Sequence, residues 1–230
     1  YDAWEFEPYA EEKTTIVTDL LGVETVSNGN TALVLNFKWK YKESLIEQDI
    51  IFYNNSPRID FETKILWKER EKILRSAFYG NVITNKATYD IQYGNIERLT
   101  HRNTSWDVAR FEVATHKWAD LSDRGLGFAI LNDCKYGYSA LHNCLRITLL
   151  KGSNLPDITA DYGEHSFVYS LVPHTGSWVE AGVNAHACEL NSPVQIFDNK
   201  SIENNYKKLI SVDNAFVDID AFKISEEGNS

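Results

Sequence analysis

Between Ile46 and Trp67 the chain alternates apolar and polar residues around a single turn signal. Ile46, Ile50 and Phe52 interleave with Glu47, Asp49 and Tyr53. Asn54-Asn55-Ser56-Pro57 breaks the run, and Ile59, Phe61, Ile65 and Trp67 then alternate with charged residues. A period of two places successive side chains on opposite faces of an extended backbone, so the stretch reads as a β-hairpin with one wet face. The dry face has to be buried against another layer. This hairpin therefore points to a layered β fold.

The same signature recurs along the chain. Thr14–Thr18 and Val23–Val26 are short β-rich runs about Leu20-Leu21-Gly22. Asn28-Gly29-Asn30 is a turn signal, and Leu33, Leu35, Phe37 and Trp39 then share one face. Residues 67–75, rich in Lys and Glu, read as an exposed strand or loop. Ala87, Tyr89, Ile91 and Tyr93 alternate with polar residues up to Gly94. Gly127–Leu131, Tyr136–Ser139, Leu145–Leu150 and His165–Val172 follow, each bounded by Gly, Asn, Asp or Pro. One helix is expected near residues 177–189, where Trp178, Ala181, Ala185 and Cys188 recur at helical spacing between a Gly-Ser entry and an Asn-Ser-Pro exit. Pro193 is expected to open another strand, and Lys200–Lys208 reads as a solvated linker.

The expectation is an all-β chain: a large antiparallel β-sandwich over residues 1–198, then a linker and the first strands of a further β unit over 199–230. The turn at Glu227-Gly228-Asn229 has no strand after it, and the chain starts at Tyr1 without a Met. Both suggest a piece of a longer protein.

Composition narrows the partners. The net charge is −10, and no basic cluster is large enough to favour a phosphate backbone or an anionic membrane. Nor does any apolar run approach the ~20 residues of a membrane span. Three cysteines, Cys134, Cys144 and Cys188, are odd in number and lack CxxC spacing, so they read as reduced thiols of a cytoplasmic protein.

No phosphate-binding loop, zinc-protease helix or nucleophile elbow is present. The densest polar-aromatic stretch is residues 101–121, whose second half alternates Phe111, Val113 and Thr115 with Glu112, Ala114 and His116. There His101, Asn103, Trp106 and Asp107 are candidates for contact with sugar or with a neighbouring domain, because Trp offers a flat apolar face and Asp and Asn offer acceptors for hydroxyls. The alternative makes 103–105 a turn cap and Trp106 a core anchor. Asn132, Asp133 and Tyr136 form a second candidate cluster, for which a packed turn is favoured over a site. His165 and His174 are expected to be structural, and Trp118 to lie in the core. No catalytic residue and no metal ligand is assigned within the chain.

The runs SPRIDFETKILW, ATYDIQYGNIERLTHRNTSWDVARFEVATHKWADLSD, GFAILNDCKYGYSA, LRITLLKG and PDITADYGEHSFVYSLVPH, with the helix ending in LNSP, together resemble the C-terminal β domain of family 38 α-mannosidases. They keep the family's order over the larger part of the chain, and residues 208–228 are similar to the family's next strands. Departures are local: Leu66 replaces the usual Asp before Trp, and Phe78-Tyr79 replaces Phe-Pro. The resemblance implies a supersandwich of the galactose-mutarotase type. It also implies membership of a zinc-dependent retaining α-mannosidase whose metal ligands and nucleophile lie in an N-terminal catalytic domain followed by a helical bundle. The expected partners are those domains and mannose-containing glycans, not nucleic acid or membrane, with homo-oligomerisation of the full-length protein left open. On this reading the chain alone is inactive, because retention needs two carboxyl groups ~5 Å apart about the anomeric carbon. Two rivals are a self-sufficient mannose-binding module and an aldose mutarotase-like enzyme using His101 or His165 with a carboxylate.

Overall fold

The computed structural model describes residues 2–4, 7–194, 210–214, 217, 219 and 221–228. After a 3-10 turn at Pro8–Lys13, the chain forms β1 (Asp19–Asn28), β2 (Ala32–Tyr41), β3 (Ser44–Tyr53) and β4 (Ile59–Trp67). Then come β5 (Lys72–Tyr79), β6 (Lys86–Ile91), β7 (Gly94–Leu99), the short helix α1 (Ser105–Ala109), β8 (Val113–Ala114) and β9 (Trp118–Ser122). The last elements are β10 (Leu126–Asn132), β11 (Gly137–Leu141), β12 (Cys144–Gly152), β13 (Gly163–Thr175) and helix α2 (Val183–Asn191).

These strands make two antiparallel sheets. One runs β1-β2-β3-β4-β13-β10-β9-β6-β7, the other β5-β12-β11-β8. The hairpin expected from alternation is β3–β4, and its register pairs Ile46 with Ile65, Ile50 with Phe61 and Phe52 with Ile59. Residues directly opposite in an antiparallel pair share a face, so this register gathers the apolar side chains on one side. That side meets the second sheet. Trp67, Tyr89, Ile130, Tyr138, Leu145, Ile147, Phe167 and Tyr169 form the core between the sheets. Phe61 of the large sheet stacks on Tyr169 at 4.9 Å and meets Phe78 of β5 at 5.6 Å.

The opposite face of the large sheet is covered locally by α2. Trp118, Ala129, Leu131 and Val172 pack there against Val183 and Ala187. Trp118 is therefore a core residue, as expected, and its ring lies 4.7 Å from that of Trp178. The helix expected at 177–189 begins later, at Val183. Gly182 adopts the left-handed conformation at φ 65°, which ends a hydrogen-bonded turn and starts the helix proper. Trp178 and Ala181 still pack on the same cluster from that turn.

Two further expectations shift, while the strand-or-loop reading of 67–75 holds. Residues 14–18 are not a strand; the first strand is the single run Asp19–Asn28, with register irregularities after Leu20 and Thr25. Residues 68–71 form a loop before β5. The alternating run 111–116 pairs only at Val113–Ala114, because Thr115 Oγ1 lies within hydrogen-bond reach of the Asp90 and Trp118 carbonyls and turns the chain into β9.

Residues 1–194 form one compact unit and 195–230 a second. In the second unit, the described residues carry no strand or helix, and residues 226–228 turn with Gly228 at φ 67°. The linker expected at 200–208, and the strand expected after Pro193 beyond Val194, lie outside the described residues.

Candidate functional site

The 101–107 stretch is not a plain loop. Thr104 is the N-cap of α1, and its hydroxyl accepts the Asp107 amide at 3.2 Å while the Asp107 carboxylate accepts the Thr104 amide at 3.0 Å. This reciprocal capping box explains why Thr-Ser-Trp-Asp starts a helix: it satisfies two amides that helix geometry leaves open. The turn-cap expectation for 103–105 therefore matches the geometry. The core-anchor expectation for Trp106 does not, because its side chain sits on a five-residue helix with no buried residue and is 74% exposed. Asn103 is exposed as well. His101 Nδ1 lies 3.8 Å from Asp107 Oδ2, so the histidine and the carboxylate do approach each other. That carboxylate is already engaged with the helix terminus. What the segment presents outward is an indole face.

The second cluster is built differently. Asn132 is 1% exposed. Its side-chain nitrogen donates to the His116 carbonyl at 2.7 Å and to the Tyr138 hydroxyl at 3.0 Å, and its side-chain oxygen accepts the Lys135 amide at 2.9 Å. Asp133 Oδ2 accepts the Val168 amide at 3.0 Å and so ties the end of β10 to β13. Tyr136 is exposed, and its carbonyl accepts the Thr115 amide. The cluster is a packed turn, as favoured from the sequence.

The structure does not bring the two candidate clusters together. Thr100, just before His101, accepts the His142 amide beyond one end of β11, whereas Tyr136 lies at the other end. The six residue steps from Tyr136 to His142 span roughly 20 Å at the rise of a strand. His165 bonds the Asp161 carbonyl and, among the described residues, no carboxylate side chain.

Two polar assemblies carry no sequence signal. On the outer face of the small sheet, Glu11 accepts from Arg75 and Arg146 at 3.0 Å and from Arg102 at 2.9 Å, and Arg75 also pairs with Glu112. Burial opposes ionisation of Glu11. The hydrogen bond and charge of Arg102, with Arg146 and Arg75 behind them, outweigh it and hold the carboxyl below its ordinary range. The arginines lie at least 64 positions away in sequence, so no local pattern could pair them.

The second assembly lies on the α2-covered face of the large sheet, where His174 Nε2 meets Asp120 Oδ2 at 2.7 Å and Ser122 donates to Asp120 Oδ1 at 2.5 Å. Cross-strand neighbours Ser122, Gly127 and His174 make one row, and the bare glycine leaves room for the imidazole to cross toward β9. The pair is buried, consistent with the structural role expected for His174. An open cleft of about 830 Å³ lies nearby, lined by Ile83, Asn85, Ser122, Asp123, Ser177 and Glu180 among others. Its carboxylates are occupied locally: Asp123 accepts the Gly125, Ile83 and Leu126 amides, and Glu180 accepts from Ser177. Those bonds hold both carboxyls below their usual range.

Among the described residues, no group of three His, Cys, Asp or Glu side chains could hold a metal ion. The donors among these residues do not fit zinc. Among the same residues, no helix is long and apolar enough to cross a membrane.

Residues 1–159 match the family model described as the glycosyl hydrolases family 38 C-terminal domain. The chain belongs to that family. Alpha-mannosidase G of Dictyostelium discoideum is 40% identical, over 100% of this chain and 22% of its own length. Alpha-mannosidase 2C1 of Homo sapiens is 41% identical over 84% of this chain and 19% of its own length. This family 38 C-terminal domain thus spans about a fifth of the curated relatives it matches. Its fold is similar to an alpha-mannosidase from Enterococcus faecalis, with TM-score 0.66 and 15% identity over 74% of this chain and 24% of that one.

Proposed function

We propose that this chain is the β-sandwich region of a longer, zinc-dependent retaining α-mannosidase that hydrolyses terminal α-mannosides in glycan breakdown. On this reading residues 1–198 support the catalytic domain, and 199–230 open a further β unit. The observation that carries it is the end-to-end similarity at 40% identity to a relative named an alpha-mannosidase. The metal and the catalytic carboxylates then belong to the part of the polypeptide outside this chain, and the protein is cytoplasmic, in keeping with three free cysteines.

Within the chain, the surface proposed to meet the sugar cleft or the catalytic domain is α1, with Trp106 as its contact and Asp107 and His101 as the residues that hold it. An exposed indole on a capped helix gives a large apolar face at little entropic cost. The test is hydrolysis of a chromogenic α-mannoside by the full-length protein and by this chain, with zinc supplied. Turnover by the full-length protein and none by the chain is expected, and robust turnover by the chain alone would overturn the supporting role. In the full-length protein Trp106→Ala should lower kcat/KM at least several-fold. If activity and domain association are both unchanged, α1 is only a turn.

A further inference from the structure

Among the described residues of 1–194, the large sheet has an apolar face with no covering layer. The small sheet reaches as far as β4, where Phe78 meets Phe61. Beyond it, β1, β2 and β3 continue the same inner face. The register puts Leu20, Val23, Leu35, Phe37, Ile50 and Phe52 on that side, together with Trp39, which packs against the core between the sheets. From Leu20 to Phe52 this face holds no ionised side chain. The other face of the same strands carries the charged side chains, internally paired: Lys38 bridges Glu24 and Glu47, and Asn36 donates to Glu47 and Asp49. The strands therefore have the two-faced pattern of a sheet packed on one side. Yet Leu20 is 49%, Val23 50% and Phe52 38% exposed, and every residue of β1 is exposed.

The edge is also open. Among the described residues β1 pairs only with β2; it carries Asp19, Glu24 and two register irregularities, but no proline, lysine or arginine. A patch this apolar, continuous with a core and reaching the edge of a sheet, is the signature of an interface.

We infer that the β1–β3 overhang is the seat of another segment of the same long polypeptide, one presenting an uncharged apolar surface and an extended strand to β1. Length points to that occupant: the Dictyostelium relative that matches this chain from end to end is nearly five times as long, since the chain covers 22% of it. The inference rests on the reading of the chain as part of such a protein, and assigns the main interdomain contact to this face, in addition to α1.

The test uses the full-length protein. Hydrogen–deuterium exchange should be at least tenfold slower in β1 than in β7, the other edge of the same sheet. Val23→Lys, on the inner face, should lower the melting temperature or split the transition, whereas Glu24→Gln, on the outer face of the same strand, should not. Exchange in β1 as fast as in β7, with Val23→Lys no worse than Glu24→Gln, would overturn the inference. Protection that vanishes on dilution, with sedimentation showing a dimer, would assign the face to a second copy and also overturn it. Hydrolysis of a chromogenic α-mannoside by the same wild-type preparation reports on the enzymatic reading separately, since its absence leaves the exchange result standing.

Discussion

Replacing Asn132 by alanine separates a structural residue from a ligand contact, because the sequence alone allows both. The side chain makes three hydrogen bonds, to the His116 carbonyl, the Tyr138 hydroxyl and the Lys135 amide. Each is worth about 1 kcal/mol net. The Tyr138 hydroxyl, in a residue 0% exposed, would also lose its partner, which costs a further ~1–3 kcal/mol. Asn132→Ala should therefore destabilise the sandwich by about 4–6 kcal/mol, or roughly 8–24 °C in Tm for a chain of this size. Urea and thermal denaturation of the 230-residue chain measure it. Tyr138→Phe in the same background removes the orphaned hydroxyl and should recover about 1–2 kcal/mol, so the two changes are not additive. A loss under about 0.5 kcal/mol, or full additivity, would refute the hydrogen-bond account and leave Asn132 free for a ligand.

The other expectations concern charge, packing and a thiol. The folded-state pKa of Glu11 is depressed, so its contribution is present above the unfolded value of about 4.3 and is lost as pH falls through the folded one. The stability difference between wild type and Glu11→Gln should accordingly be constant near neutrality and shrink below about pH 4.3; a difference unchanged at pH 3 would rule this out. Gly127→Ala puts a methyl against Ser122 Cβ and 2.6 Å from His174 Cε1, so a loss of about 1–3 kcal/mol is expected, and a neutral result would show that the row relaxes freely. Burial and the neighbouring Asp133 push the Cys134 thiol up to about 11 although the residue is exposed. Alkylation at pH 8, followed by peptide mass spectrometry, should label it roughly 100-fold more slowly than an unperturbed thiol, and equal rates would contradict the assignment.

Local pattern carried the hairpins. Ile59, Phe61, Ile65 and Trp67 lie at the odd positions that alternation demands, and the β3–β4 register follows. Long-range placement was not local. β13 enters the large sheet between β4 and β10, after an excursion of nearly a hundred residues that supplies the whole second sheet. The helix near 183 was displaced because a glycine inside an otherwise helical pattern took a left-handed conformation. Trp106 was hardest to read, since a tryptophan in a β-rich chain is ordinarily buried, and only the capping box of Thr104 and Asp107 lifts it onto an exposed helix. Asn132 and Asp133 looked like a binding pair for the same reason they make a good turn: short polar side chains reach nearby backbone amides.

Two apolar faces pressed together have little intrinsic reason to stop at one alignment. Between these sheets, the Gln48 amide donates to the Tyr169 hydroxyl at 2.9 Å and to Thr63 at 2.8 Å, and the same hydroxyl reaches Ser76 of β5 at 3.3 Å. Burial holds that phenol protonated by raising its pKa. The trio acts as a dowel more than as glue. Substituting Gln48→Leu, Tyr169→Phe and Ser76→Ala together would leave burial nearly intact while removing a polar reference that tells the small sheet where to sit, so heterogeneity in side-chain spectra, ahead of any fall in melting temperature, is the expected consequence.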